Sequence, residues 1–179
     1  MKSLAFITGA TSGIGKATAL KFAENDINLI LTGRRTDRLE KLKNEIESQF
    51  SVQVQLLCFD IMKKDETDKA FARIENPREI DILINNAGLA AGLDPFHKAD
   101  LTDWERMIDT NIKGLLYISR LLTPYMVEMN RGHIINVGSI AGKQVYANGN
   151  VYCASKFAVD ALTQAMRTDL LPYGIKVGQ

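Results

Sequence analysis

The chain has 179 residues, 46% of them hydrophobic and 24% charged, which suits one soluble domain with a real core. Its formal net charge of +1 gives no bias toward nucleic acid or an anionic membrane surface, so neither is expected as a partner. Cys58 and Cys153 show no CxxC pairing, and His97 and His133 have no ligand spacing; a reducing cytoplasm, no disulfide framework and no metal are expected.

The opening MKSLAFITGA resembles a leader only superficially. Its apolar run, Leu4 to Ile7, is too short for one and ends at Thr8-Gly9. No run approaches the roughly 18 apolar residues of a membrane span. Short apolar runs at 4–8, 28–32, 54–59, 81–85 and 133–137 read as strands, bounded by Gly, Asn or Asp. They are nearly continuous in apolar residues, as parallel strands covered on both faces should be. The stretches 13–25, 36–50, 65–75 and 103–129 read as helices. In the second, Leu39, Leu42 and Ile46 form an apolar stripe while Lys41, Lys43 and Glu45 face water. A further helix, about 151–171, leads past Gly174 to Ile175-Lys176-Val177, the start of a sixth strand. Strand–helix alternation predicts an open α/β sheet with right-handed crossovers, in a single domain over 1–179. Asn76-Pro77 and Asp94-Pro95 mark loops.

ITGATSGIGKA (7–17) joins the first strand to the first helix. Glycines at 9, 13 and 15 permit a tight turn and a close backbone approach to a phosphate, which the helix N-terminus then meets with free N–H groups. A P-loop is poorly supported, because Ala10 stands where its first glycine belongs and Ala17 where its Mg²⁺-binding hydroxyl belongs. The dinucleotide fingerprint GxGxxG also fails in strict form, the spacing here being G-x-x-x-G-x-G. The plain alternative is a glycine-rich turn that binds nothing. About 20 residues on, where such domains place an acid for NAD or an arginine for the 2′-phosphate of NADP, the chain has LTGRRTD. Arg34 and Arg35 can grip a phosphate bidentately and leave no acid there to repel it; otherwise they are two solvated cations.

Farther on, VYCASK places Tyr152 and Lys156 four residues apart with small residues between. On a helix the phenol and the ammonium share one face. Alone, this pair is weak evidence and reads more readily as a surface accident than as a proton-transfer device.

Taken together, TGATSGIG (8–15), NNAG (85–88), Asn111, Ser139 and the Tyr152/Lys156 pair resemble the short-chain dehydrogenase/reductase family over the whole chain. GRRTDRLEKL, NNAGLAAGLDPFHKADLTDWERMIDTNIKGLLY and GHIINVGSIAGKQVYANGNVYCASK look like its NADP-dependent 3-hydroxy acid (serine-type) subgroup. The resemblance implies a Rossmann-like doubly wound sheet of order 3-2-1-4-5-6 in three αβα layers. It also implies that the C-terminal strand and substrate lid of the family are missing here, the chain being either a fragment or a naturally shortened protein. Gly9, Thr11, Ser12, Gly13, Ile14 and Gly15 would form the phosphate loop, Arg34 and Arg35 would hold the 2′-phosphate, and Asp60 with Ile61 would meet the adenine. Asn86, Ala87 and Gly88 would line the cofactor, or lock the central sheet, or both. Asn111 would sit at a helix kink and hold a water for a proton relay. Ser139 would orient the substrate oxygen, unless it is a turn serine of GSIAG. Tyr152 would be the acid/base and Lys156 would bind the nicotinamide ribose. Gln144 belongs to a rim, with Phe96, Tyr146 and Asn148, that would touch a small hydroxy acid or carbonyl substrate.

The physics of the pair is of the right size. A phenol titrates near 10 in water, and bringing one to about 7 needs roughly 4 kcal/mol. A single cation about 4 Å away supplies about that at an effective dielectric of 20. Hydride transfer between nicotinamide and a carbonyl needs such a group for the accompanying proton. Two other classes stay open at this stage: an NADP-binding module without turnover, and a nucleotide-kinase-like P-loop protein. By analogy the helices 103–129 and 151–171 pair across subunits of a homodimer or homotetramer, unless their stripes only cover the sheet. Cys153, beside Tyr152, is expected to pack rather than to sense redox state.

Overall fold

Six strands form one parallel sheet in the order 3-2-1-4-5-6 in the computed structural model, which describes residues 2–179. They are β1 (Leu4–Ile7), β2 (Asn28–Gly33), β3 (Val54–Cys58), β4 (Ile80–Asn85), β5 (His133–Asn136) and β6 (Lys176–Gly178). Phe6 lies opposite Ile30 on one side and Leu83 on the other, and the β1–β4 register shifts once, between Leu4 and Ala5. Because side chains alternate across a strand, each apolar run feeds two cores. Ala5, Ile7, Leu29 and Leu31 face α1 (Gly13–Glu24) and α2 (Thr36–Gln49), meeting Ala19, Ala23 and the stripe Leu39, Leu42, Ile46. Phe6, Ile30, Leu83 and Ile134 face the other way, toward α3 (Lys64–Phe71) and α5 (Leu115–Met129), where Phe71, Ile118, Leu122 and Met126 are buried. This is the three-layer, Rossmann-like arrangement expected from the sequence. Among the described residues, no helix is long and apolar enough to cross a membrane.

Two helices differ from expectation. The stretch read as 65–75 is helical only over Lys64–Phe71. Beyond it, Arg73 N–H and Ile74 N–H donate three residues back, to Ala70 and Phe71 carbonyls, and the tightened turn drops Ile74 into the core. The single helix read over 103–129 is α4 (Leu101–Ile108), a π-helical turn (Asp109–Gly114) and α5. The expected kink at Asn111 is therefore a π-turn, a feature that often marks functional positions. The last helix, α6, spans Asn150–Leu170.

The strand order reverses between β1 and β4, and the segments leaving their carboxyl ends part to either side. Open α/β sheets bind ligands at such a point.

Candidate active site

The chain leaves β1 through Thr8 and turns at Gly9, whose φ is +67°. A side chain there would be strained, and its Cβ would lie 2.9 Å from Ala87 Cα. Gly15, in the first turn of α1 behind Gly13, is buried; a Cβ on it would strike the Gly9 carbonyl, so the helix rests directly on the turn. Ser12, the residue preceding α1, makes no side-chain bond to the helix, and the first turn carries no acid. Its N–H groups and positive dipole end are thus available to an anion.

Both arginines border this turn. Arg35 Nη2 donates to Thr11 Oγ1 (2.6 Å) and Ser12 Oγ (3.2 Å). Arg34 Nη1 lies 3.7 Å from Asp60 Oδ2. The two positions directly after β2 are Arg34 and Arg35, and the acid beside Arg34 comes from just beyond β3. Asp60 Oδ1 also accepts from Met62 N–H at 3.1 Å, so the carboxylate that the resemblance gives to adenine is already oriented by its own loop.

After β4, the NNAG segment is a lock. Asn86 Nδ2 donates to the carbonyls of Thr8 (2.9 Å) and Gly9 (3.0 Å), while the N–H groups of Asn86 and Ala87 donate to Thr8 Oγ1 at 3.0 and 2.9 Å. The glycine turn and the NNAG turn are thereby one rigid unit, and Ala87 and Gly88 still face the open side.

Asn111 is 2% exposed. Its Oδ1 accepts from Leu89 N–H (2.8 Å), and its Nδ2 donates to Leu89 O (2.9 Å) and Ser155 Oγ (3.0 Å). Both amide hydrogens are committed, so a water bound at this side chain must donate to it. Ser155 Oγ passes the connection on to the Tyr152 carbonyl at 2.8 Å.

Tyr152 and Lys156 lie one turn apart on α6 and open into the same space. Lys156 is 8% exposed, and its Nζ donates to Val137 O at 2.9 Å. Burial lowers its pKa below the ordinary lysine value.

One cleft of about 580 Å³ gathers these groups at the carboxyl ends of the strands. Gly9, Thr11, Ser12 and Ile14 of the glycine turn, Arg34, Arg35, Asp60 and Ile61, Asn86 to Gly88, and Tyr152 with Lys156 all line it. Gly13, Gly15 and Asn111 lie outside its walls, the last two buried behind them. Ser139 and Gln144 are not brought to the cleft either. Ser139 caps a short 3₁₀ turn, its Oγ accepting from Ala141 N–H at 3.1 Å, and Gln144 is exposed. Sequence reasoning missed Val137, whose carbonyl anchors Lys156, and Thr110 and Leu89 on the walls; Val137 is an apolar strand-end residue with nothing to flag its carbonyl. The larger cavity, about 630 Å³ around Lys2, Asp81 and Arg131, is at the opposite end of the sheet and contains none of the candidate residues.

The short chain dehydrogenase family model matches residues 3–179. The chain belongs to this family. The NADP-dependent 3-hydroxy acid dehydrogenase YdfG of Salmonella typhi is 47% identical over 176 residues, covering 97% of this chain and 69% of that protein. The sulfoacetaldehyde reductase of Chromohalobacter salexigens is 42% identical over 179 residues, covering 99% and 70%. Among solved structures, the closed form of serine dehydrogenase complexed with NADP+ superposes with a TM-score of 0.89 at 43% identity, covering 97% of this chain and 69% of that one. The cleft fits a dinucleotide phosphate. It has an uncapped helix end suited to a pyrophosphate and two guanidiniums on its lining that could meet a further phosphate.

Proposed function

We propose that this chain is an NADP-dependent oxidoreductase, with a small hydroxy acid or the matching carbonyl compound as substrate and Tyr152 as acid/base. The observation that carries the reading is the meeting of Tyr152 and Lys156 with the glycine turn and both arginines in one cleft. Bound NADP supplies the hydride donor or acceptor at its nicotinamide. The first turn of α1 with Thr11 and Ser12 would hold the pyrophosphate, and Arg34 and Arg35 the 2′-phosphate. Asp60 and Ile61 would meet the adenine, Asn86 to Gly88 the middle of the cofactor, and Lys156 the nicotinamide ribose.

In the reducing direction Tyr152 donates its phenolic proton to the carbonyl oxygen, and in the oxidising direction it takes the proton back. Ser139, the residue after Gly138 on the cleft wall, already accepts a backbone hydrogen bond through its oxygen, which leaves its O–H free to donate to a substrate oxygen at that edge. Asn111 keeps Leu89 and α6 in register beside the reacting groups. The names of the relatives support the substrate class: a 3-hydroxy acid, serine and sulfoacetaldehyde are small molecules that carry an acidic group. Leu116 on α5 and Phe157 on α6 stay 38% and 41% exposed, which supports a homodimer or homotetramer built on these helices. Two free cysteines are in keeping with a cytoplasmic protein.

Turnover with Tyr152→Phe tests the reading. With NADPH and a panel of small carbonyl acids, kcat should fall by about 10²- to 10⁴-fold while NADPH affinity holds. An unimpaired Tyr152→Phe would remove Tyr152 from the chemistry. A wild type that binds NADPH but reduces nothing would favour the binding module.

A further inference from the structure

We propose that Asn150 and Trp104 form a clamp that positions Tyr152 against the loop after β4; the proposal rests on Tyr152 being the acid/base. Asn150 is the first residue of α6, and Tyr152 follows in the same turn. Asn150 Oδ1 accepts from Trp104 Nε1 at 3.0 Å and from Val151 N–H at 2.6 Å. Its Nδ2 donates to the Asp94 carbonyl at 3.1 Å. One side chain therefore joins the start of α6, the helix α4 and the loop between β4 and α4. The Trp104 ring in turn packs at a tilt of 46° against Phe96 of that loop, with centroids 4.7 Å apart.

The need for such a clamp follows from the helix end. The first N–H groups of a helix have no partners within it, and Gly149, which precedes α6, has no side chain to cap them. The turn that carries Tyr152 is thus the least self-supporting part of α6. The loop it faces puts Gly88, Leu89 and Ala90 on the cleft wall. Asn111 fastens that loop at Leu89 and reaches α6 through Ser155. Asn150 fastens it five residues farther on, at Asp94, and reaches α6 directly. Two asparagines thus hold loop and helix in register from two sides. The geometry matters, because a displacement of about 1 Å at a reacting group costs on the order of 10²-fold in rate.

Helix propensity runs the other way. Alanine is a better helix former than asparagine, so Asn150→Ala should not weaken α6 through propensity. A loss of rate without a loss of folding would therefore point to position.

The test is a double-mutant cycle on the chain. Trp104→Phe keeps a ring to pack against Phe96 but removes the indole donor; Asn150→Ala removes the hub. Steady-state reduction with NADPH, NADPH affinity and thermal unfolding are measured for both variants and their combination. Each single change should lower kcat by about 10-fold, with KM and NADPH affinity within about two-fold of wild type, and the double variant should be no worse than Asn150→Ala. Wild-type kcat in both single variants, losses that multiply in the double, or losses confined to KM would overturn the clamp while leaving Tyr152 chemistry standing. A wild type without turnover would instead sink the functional reading and the positioning role with it. Trp104 is the only tryptophan in the sequence, so its emission adds a direct view. It should shift in Asn150→Ala, and an unchanged spectrum would count against the hydrogen bond.

Discussion

A buried ammonium destabilises a fold for as long as it stays charged, and Lys156 shows how the pH dependence should run. Its pKa is lowered by burial below 10.5. Between that lowered value and 10.5 the unfolded chain binds more protons than the folded one, so this residue makes stability rise with pH across that window. Below the folded pKa the cost is present in full. Without nucleotide, wild-type stability should therefore gain on that of Lys156→Met as pH climbs from neutral toward 10.5, as read by urea unfolding at each pH. Parallel profiles for the two proteins would contradict it. The Tyr152/Lys156 spacing was legible at this scale because four residues is a helical turn. The anchoring of Nζ on Val137 O was not, since a backbone carbonyl leaves no mark in a sequence.

Elements were legible where their apolar period is clean. The stripe Leu39, Leu42, Ile46 is fully buried, as its spacing predicts. The π-turn over Asp109–Gly114 was not legible from periodicity, because DTNIKG holds no proline and the bonds of Asn111 to Leu89 and Ser155 at this turn reach other parts of the chain. A second buried polar chain also escaped notice. Asn85 Nδ2 donates to Ser119 Oγ (3.0 Å) and Asn136 Oδ1 (2.8 Å), and Asn136 Nδ2 donates to Thr163 Oγ1 (2.9 Å), tying β4 and β5 to α5 and α6. Asn85 and Asn136 read as strand ends in sequence, and only the β4–β5 register puts them opposite each other. Asn136→Leu would strand Asn85 and Thr163 and should cost about 1–3 kcal/mol in denaturant unfolding. Unchanged stability would show that the chain of bonds contributes little.

At the scale of the whole molecule, alternation of strands and helices predicts a parallel sheet covered on both faces, and both cores are where that pattern puts them. Periodicity says nothing about which strands are neighbours; the order 3-2-1-4-5-6 came from the family resemblance. That order creates the switch point between β1 and β4, and with it the cleft. Ser139 and Gln144 do not line the cleft; the segment after β5 folds into its own 3₁₀ turn, the turn-serine alternative that GSIAG offered.

The central claim is that this cleft reads the extra phosphate of NADP. Fluorescence titration with NADPH and NADH, on the wild type and on Arg34→Ala/Arg35→Ala, tests it most directly. The account predicts preference for NADPH and a loss on the order of 10²-fold in NADPH affinity in the double variant, because two charge-assisted contacts disappear, with NADH affinity little changed. Equal affinity for the two nucleotides in the wild type, or an undiminished NADPH affinity in the variant, would contradict it.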